Sequence, residues 1–486
     1  MSDLPAQDKE AVNRRSDFVV MKFGGTSVED AVAIRRVSEL VKRQRRYRPI
    51  VVVSALAEVT DQLVSAGKSA AEGQREFAKK VLEQLRQRHA EVAAGLLSAD
   101  EYKSLCSDLE STFQLLQSLV DSIAGEGQFA PREQDHFLGL GEFLSSKLVR
   151  AAFHAGGIDT AWVDAKQCII TDAAHTRATP LWEETNQHVE SVLLPLLQAG
   201  RVPVLGGFVG STRDGIPTTL GRGGSDFSAA IVGAALGAQR IEIWTDVDGV
   251  MTTDPDLCVD ARLIEKMSFD EAAELAYFGA KVLHPATLLP AMRHDIPVWV
   301  RNSRKPECGG TEILAHTSDS IEVKAISVKW AVASVDVEPL RWLAPELVRE
   351  VCDVFERHHY SLDLLSASRG SLSVLVTTTA ALPAIAEELQ GLANVRWKNH
   401  QALVCLVGEN IRRRPDIASR VFRAISDIDV RMICQGASER NISFLVDESK
   451  AEQAVQRLHR LFFPPEIVQA VDDHSQPLCQ AGESRV

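Results

Sequence analysis

Lys22, Gly24 and Gly25 stand together in the run KFGGTSV, which closes the apolar stretch from Phe18 to Met21. That combination suits the holding of phosphate. Adjacent glycines let the backbone approach an anion with no Cβ in the way, and Lys22 adds a full positive charge beside them. The Thr26 and Ser27 hydroxyls are placed to cap the helix expected next, whose first N–H groups would face the same anion. Taken alone, the run also fits an ordinary tight βα turn with an exposed lysine.

A second run, TTLGRGGSD from Thr218 to Asp226, ends an extended stretch and leads into an alanine-rich helix, with Ser225 or Asp226 as its N-cap. Glycines around Arg222 suit an anion-binding nest, and the guanidinium offers a bidentate fork for a carboxylate or phosphate. Two anion sites imply two anionic groups. A third cluster, WTDVDGVM from Trp244 to Met251, leaves the C-terminal end of a predicted strand, where open α/β sheets bind ligands. Thr245 and Asp246 there can accept hydrogen bonds from a ribose or base. Further on, FGAKVLHP presents Lys281. Each of these reads equally, by itself, as turn residues or a surface lysine. Gly67-Lys68-Ser69 is not a phosphate loop, because Gln62 stands where the first glycine belongs and a helical pattern precedes it.

The elements that must position these residues follow from periodicity. From Phe18 to about Thr311, short β-rich runs alternate with helical stretches, and 49–54, 202–208, 241–245 and 296–300 are the clearest strands. This predicts an α/β fold with a mostly parallel sheet between helix layers. Residues 74–150 are helix-forming throughout, with leucines at helical spacing, and read as a helical subdomain. The turn Gly210 to Gly215 predicts a β-hairpin. Past Thr311 the pattern shortens: helix 345–357, strands 361–366 and 371–377, helix 382–392, then a similar order from 402 with helices 415–425 and 451–461 around strands 429–435 and 442–446. This is an internal repeat of βαββαβ type.

With 486 residues, 45% of them hydrophobic, two to four packed domains are expected. The net charge of -13 argues against a general nucleic-acid or membrane-surface role. The one basic run, Lys42 to Arg48, reads as a solvated helix end. No stretch approaches the roughly 18 apolar residues of a membrane span, and the polar first 16 residues lack the core of a signal peptide. A cytoplasmic protein is expected. The 8 cysteines are scattered without close pairs and the 13 histidines show no HExxH, so no disulfide framework, zinc site or other metal site is signalled.

KFGGTSV, TTLGRGGSD, WTDVDGV, TTDP and FGAKVLHPAT, in this order and spacing, closely resemble the aspartate kinases of the amino-acid kinase family, across about residues 18–465. The C-terminal repeats resemble ACT domains, which in that family bind an amino-acid effector and pair between subunits. The resemblance implies a flexible segment 1–17, a three-layer sandwich catalytic domain over 18–315, ferredoxin-like ACT domains over 321–400 and 401–465 that are open to interleaving, and a disordered tail 466–486. It also implies a reaction, transfer of the ATP γ-phosphoryl group with Mg²⁺ to the β-carboxylate of L-aspartate, opening the lysine, threonine and methionine pathway. A carboxylate with a pKa of about 4 is already ionised at neutral pH, so no general base is needed. The obstacle is repulsion between that anion and the triphosphate, which positioning and electrostatics must overcome.

Carried over by position, the resemblance gives Lys22 to the transferring phosphoryl group, Asp226 to holding its ammonium, and Gly24 and Gly25 to the phosphate pocket. Arg222 would grip the aspartate α-carboxylate and Glu142 its ammonium, with Ser54, Thr60 and Ser225 as further substrate contacts. Thr245, Asp246 and Met251 would surround ribose and adenine, and Lys281 would reach the phosphates. In the lysine-sensitive type, which is nearest, the effector positions match Ser361, Asp363 and Ser368, whereas Ala344, Glu346, Leu347 and Arg369 depart. Lysine or threonine is the expected effector, and a homodimer or dimer of dimers the expected assembly. Glu58 and Asp256 stand where relatives carry glycine and arginine, and Met251 where tyrosine is common. The alternatives are a catalytically weak amino-acid sensor and a related kinase acting on another carboxylate.

Overall fold

The computed structural model describes residues 17–280, 285–317, 322–340, 345–360, 362–368, 370–377, 379–436 and 438–464. These form two compact units. The first comprises the described parts of Met1–Val250, Glu265–Phe269 and Val282–Thr317, and the second those of Met251–Ile264, Asp270–Lys281 and Ser318–Val486. The chain therefore does not divide at a single cut near residue 320. Segments from the middle of the sequence belong to the second unit.

The first unit is built on β1 (Val19–Phe23), α1 (Ala31–Arg43), β2 (Pro49–Val53), α2 (Val59–Ala71), α3 (Arg75–Ala94), α4 (Ala99–Glu126), α5 (Pro131–Ala155) and β3 (Thr160–Val163). It continues through α6 (Trp182–Gln198), β4 (Val202–Gly206), the hairpin strands β5 (Val209–Ser211) and β6 (Pro217–Thr219), α7 (Gly224–Ala235), β7 (Arg240–Thr245) and β8 (Lys266–Ser268). Helix α8 (Phe269–Tyr277) carries the chain into the second unit; α9 (Pro285–Arg293), β9 (Val298–Asn302) and β10 (Thr311–Leu314) complete the first. The sheet order is β3-β4-β2-β1-β7-β9-β10-β8. All its pairings are parallel except β9 with β10.

β1 and β2 are buried along their whole length, as expected of β-branched strands covered on both faces of a parallel sheet. Val19, Met21, Phe23, Val51 and Val53 share a core with the apolar stripes of α1 to α5. On α7, Gly233 lies where a Cβ would come within 2.7 Å of Ile241, so the small-residue helix packs close on the sheet. The parallel strands β1, β2, β4 and β7 end on one edge, which sets Lys22, Ser54, Gly206 and Thr245 along it.

Three local expectations differ from the structure. Thr26 and Ser27 do not cap a helix: they lie in a 3-10 turn, Gly25–Ser27, and α1 begins later with Asp30 accepting from the Ala33 N–H at 2.8 Å. Neither Ser225 nor Asp226 caps α7. Gly223 does, at φ +72°, and places both residues in the first turn. The strand expected over 296–300 is shifted to Val298–Asn302, because the Ile296 N–H closes the end of α9 on the Ala291 carbonyl at 2.9 Å.

The second unit carries an antiparallel sheet of order β12-β13-β11-β14-β16-β15. Its elements are β11 (Ala325–Pro339), α10 (Pro345–Arg357), β12 (Leu364–Ala367), β13 (Leu372–Val376), α11 (Leu382–Leu389), β14 (Ala393–Val407), α12 (Pro415–Ala424), β15 (Met432–Gln435), β16 (Asn441–Asp447) and α13 (Glu448–Phe462). β11 and β14 are long and shared, paired along most of their length. One core takes Ala333, Val335 and Val337 with α10, β13 and α11; the other takes Ile326 and Val328 with β14, β16, α12 and α13. The repeats are thus interleaved, the first half of β11 lying in the core of the second repeat. The polar segment Arg396–His400 hid the continuity of β14 from periodicity.

Candidate active site

Lys22 is the fourth residue of β1, at the centre of the sheet, and only 8% exposed. Its Nζ lies 2.6 Å from Asp226 Oδ1 in the first turn of α7. The pair crosses from the strand end to the helix that follows the arginine loop, and fixes the ammonium beside the glycine turn. There the Gly24 N–H donates to the Trp244 carbonyl at 2.9 Å. Gly25 has no room for a side chain: a Cβ would sit 3.0 Å from the Ala55 carbonyl and 3.2 Å from the Ala57 backbone. Ser27, rather than capping, hydrogen-bonds Ser303 Oγ at 2.8 Å and ties the turn to the loop after β9.

An open cleft of about 530 Å³ gathers Lys22, Ser54, Thr60, Glu142, Arg222, Ser225 and Asp226 along its walls. Their convergence from β1, the end of β2, α2, α5 and the loop before α7 with its first turn is what the spacing alone left open. Glu142 is 4% exposed. Burial pushes its carboxyl up to about 8, against the opposing pull of the Ala55 N–H, its own N–H and the Lys22 charge. One carboxylate oxygen, Oε2, is buried without a hydrogen-bond partner. A buried acid with a free acceptor is a fit place for a cation. The glycines just before it on α5 serve close packing: a Cβ on Gly141 would reach 3.1 Å from Ala55 Cβ, and one on Gly139 3.1 Å from Val209. Arg222 stands exposed between Gly221 and Gly223, both at positive φ.

Residues that sequence reasoning missed also line the cleft. Glu58, Thr176 and Phe208 all adopt positive φ, at 67°, 69° and 68°. No local pattern announces a strained non-glycine residue. Glu58 was marked only as a departure from relatives, and its left-handed backbone explains why glycine suits that position.

At the end of β7, Thr245 Oγ1 donates to Asp246 Oδ1 at 3.1 Å, and Asp246 is exposed. Asn302 Nδ2 holds the loop by donating to the Asp246 carbonyl and to Asp248 Oδ1, at 3.1 and 2.6 Å, another role not foreseen. Met251 bridges Leu263 within the second unit, where Asp256 is also exposed. Lys281 lies outside the described residues. Among the described residues, no group of three or more His, Cys, Asp or Glu side chains could hold a metal ion, and no helix is long and apolar enough to cross a membrane.

Of the expected effector positions, Ser361, Arg369 and Ala344 lie outside the described residues. Asp363 is paired: Lys329 Nζ sits 2.6 Å from its Oδ1, and the Tyr277 hydroxyl donates to its carbonyl at 2.7 Å. Its Oδ2 has no hydrogen-bond partner. Ser368 is exposed and bonds Ser371 across a turn.

A model of the amino acid kinase family matches residues 17–302, and one of the ACT domain matches residues 404–462. Lysine-sensitive aspartokinase 3 of Escherichia coli (strain K12) is 35% identical over 458 residues, spanning 92% of this chain and 100% of that protein. Chloroplastic aspartokinase 3 of Arabidopsis thaliana is 35% identical over 472 residues, 93% of this chain and 83% of that protein. Among solved structures, E. coli aspartokinase III in complex with aspartate and ADP (R-state) superposes with a TM-score of 0.81 at 34% identity, covering 91% of this chain and 99% of that one. Its complex with lysine and aspartate (T-state) gives 0.79 at 34% identity, covering 92% and 100%.

Proposed function

We propose, for a chain that belongs to the amino acid kinase family, that it is an aspartokinase transferring the γ-phosphoryl group of ATP to the β-carboxylate of L-aspartate. The observation that carries this reading is one cleft in which the Lys22–Asp226 pair, the exposed Arg222 and the partnerless Glu142 oxygen converge. Aspartate has complementary groups for all of them. Arg222 takes the α-carboxylate and Glu142 the ammonium, which leaves the β-carboxylate for the phosphoryl side. Ser54, Thr60 and Ser225 are neighbours with hydroxyls to spare for it. Lys22 meets the charge that grows on the transferring group, and Asp226 keeps its ammonium aimed there rather than at the substrate acid. Gly24 and Gly25 leave the phosphates room close against the backbone of the turn, while Thr245 and Asp246 are taken to face the nucleoside; Met251 and Lys281 are proposed to complete the nucleotide's surroundings.

Bound with ATP, Mg²⁺ would supply charge neutralisation between the phosphates. Most of its ligands would come from the triphosphate and water rather than from a protein cage, with the Asp226 carboxylate beside Lys22 as the cleft acid nearest the phosphoryl side. Regulation is proposed to act through the ACT repeats, with an amino acid such as lysine or threonine bound near Ser361, Asp363 and Ser368, in a homodimer or dimer of dimers.

ATP-dependent hydroxamate formation with L-aspartate, L-glutamate and N-acetyl-L-glutamate tests the reading. Turnover is expected with aspartate and little with the others; preference for either glutamate compound would overturn it.

A further inference from the structure

We infer that Asp135 is a positioning residue for the substrate site: its buried carboxylate clamps the loop that bears Arg222 to the loop that bears Thr176. Asp135 lies on α5 two turns before Glu142, so the helix presents both acids on one face. It is 0% exposed. Three groups donate to it: Thr219 Oγ1 to Oδ1 at 2.5 Å, the Thr176 N–H at 2.9 Å, and His175 Nδ1 to Oδ2 at 2.6 Å. A buried carboxylate so satisfied fixes its donors in place, because each would be left unpaired by any shift.

The donors all lead to the cleft. Thr219 ends β6, and Leu220, Gly221 and Arg222 follow it directly. Thr176 lines the cleft at φ +69°, a conformation that costs a β-branched residue energy and needs support. The two loops also meet through the Ala178 N–H, which donates to the Thr219 carbonyl at 2.9 Å. They are close enough that a Cβ on Gly221 would come within 3.1 Å of the Thr176 carbonyl. A carboxylate used only to stabilise the hydrophobic core would have no reason to collect its partners from cleft loops 41 and 84 residues away. Asp135 touches no reacting atom on this account; it acts through where Arg222 stands.

The inference rests on the reading that Arg222 binds the substrate carboxylate, so its test has one arm that depends on that reading and one that does not. In steady-state kinetics, Asp135→Asn is expected to raise the aspartate KM about tenfold with the ATP KM unchanged within about twofold, because only one substrate meets the clamped loop. Thr219→Val should act in the same direction, and Thr219→Ser, which keeps the hydroxyl, should restore ordinary kinetics. Added to Arg222→Ala, Asp135→Asn should raise the aspartate KM little further, since two residues acting through one contact are not additive. In the second arm, hydrogen exchange of the Thr176 amide should accelerate at least tenfold in Asp135→Asn, whatever the substrate. Equal rises in both KM values, or full additivity with Arg222→Ala, would reduce Asp135 to a general structural part. Unchanged exchange at Thr176 would overturn the clamp itself. Faster exchange in an enzyme that ignores aspartate would leave the clamp standing and sink the substrate assignment.

Discussion

Glu142 sets the character of the site. A carboxyl held at about 8 by burial keeps its proton at pH 7 until a further cation comes to rest beside it. An arriving ammonium favours the charged form, so aspartate binding at pH 7 is expected to release close to one proton. Calorimetry in buffers of differing ionisation enthalpy reads that number, and a value near zero would remove Glu142 from the ammonium site. The stability consequence has a definite sign. The folded-state value lies above the ordinary one of 4.5, so the contribution is intact below about 4.5 and lost as pH rises through about 8. The loss is on the order of a few kcal/mol. Glu142→Gln, which cannot ionise, should therefore unfold at a temperature close to the parent's at pH 4.5 and above it at pH 8, while its aspartate KM rises. Lys22→Ala should behave differently again, lowering kcat by roughly 100-fold or more with modest change in KM, because its contact strengthens as charge moves in the transition state. A variant with near-parental kcat would show that the phosphoryl group lies elsewhere.

Residues of this kind differ in how far sequence reveals them. Lys22 and Arg222 sit in short glycine runs whose backbone needs are local, so their anion-binding chemistry is legible before any fold is known; Asp226 reads locally as a helix cap, and its pairing with Lys22 comes only by resemblance. Glu142 is one glutamate on a long helix and stands out only by resemblance. Asp135 is invisible, since its meaning lies in partners brought to it by β6 and the loop before α6.

At the scale of elements, turns carry the site and turns are where local reading falters. The N-cap of α7 is a glycine in the left-handed region, which sequence rules favouring Ser or Asp misplace by two or three residues. Glu58 caps α2 in the same region at φ 67°. A non-glycine residue there costs about 1 kcal/mol, part of which glycine returns as chain entropy. Glu58→Gly should thus stabilise the chain by a fraction of that amount, read as a small upward shift of the denaturant midpoint at unchanged slope. A loss of stability would mean that the Glu58 side chain makes a contact worth more than the strain.

β11 offers a second case at this scale. Lys329 on that strand already places an ammonium on Asp363, with the Tyr277 ring 5.6 Å away. If an amino-acid effector is to use the same carboxylate, it must displace that side chain or take the free Oδ2. Lys329→Met should therefore lower the lysine concentration for half-inhibition several-fold, and adding Asp363→Ala should abolish the gain. Inhibition indifferent to both changes would place the effector away from Asp363.

At the scale of the molecule, the repeat pattern correctly announced an α/β unit followed by paired βαββαβ repeats, because strand and helix periods are local. It could not announce which stretches share a core. Met251–Ile264 and Asp270–Lys281 lie in sequence among the first unit's strands yet belong to the second, and their ties there are specific. Thr252 Oγ1 bonds His459 Nε2 at 2.9 Å, the Ile326 N–H donates to the Thr252 carbonyl at 2.7 Å, and Asn441 Nδ2 donates to Glu274 at 2.6 Å. Leu257 packs on the core of the second repeat, and Gln456 donates to its carbonyl at 3.1 Å. A chain ending at residue 320 would keep both segments and lose every one of these partners. Buried donors and apolar side chains would then face water or one another, a loss that a margin of about 5–15 kcal/mol cannot readily absorb. Truncation there is expected to yield aggregated or partly unfolded protein rather than a small unregulated kinase. Size-exclusion chromatography with a thermal melt decides the matter: a soluble fragment with a single cooperative transition and full aspartate turnover would show that the inserted segments fold without the repeats they are built into.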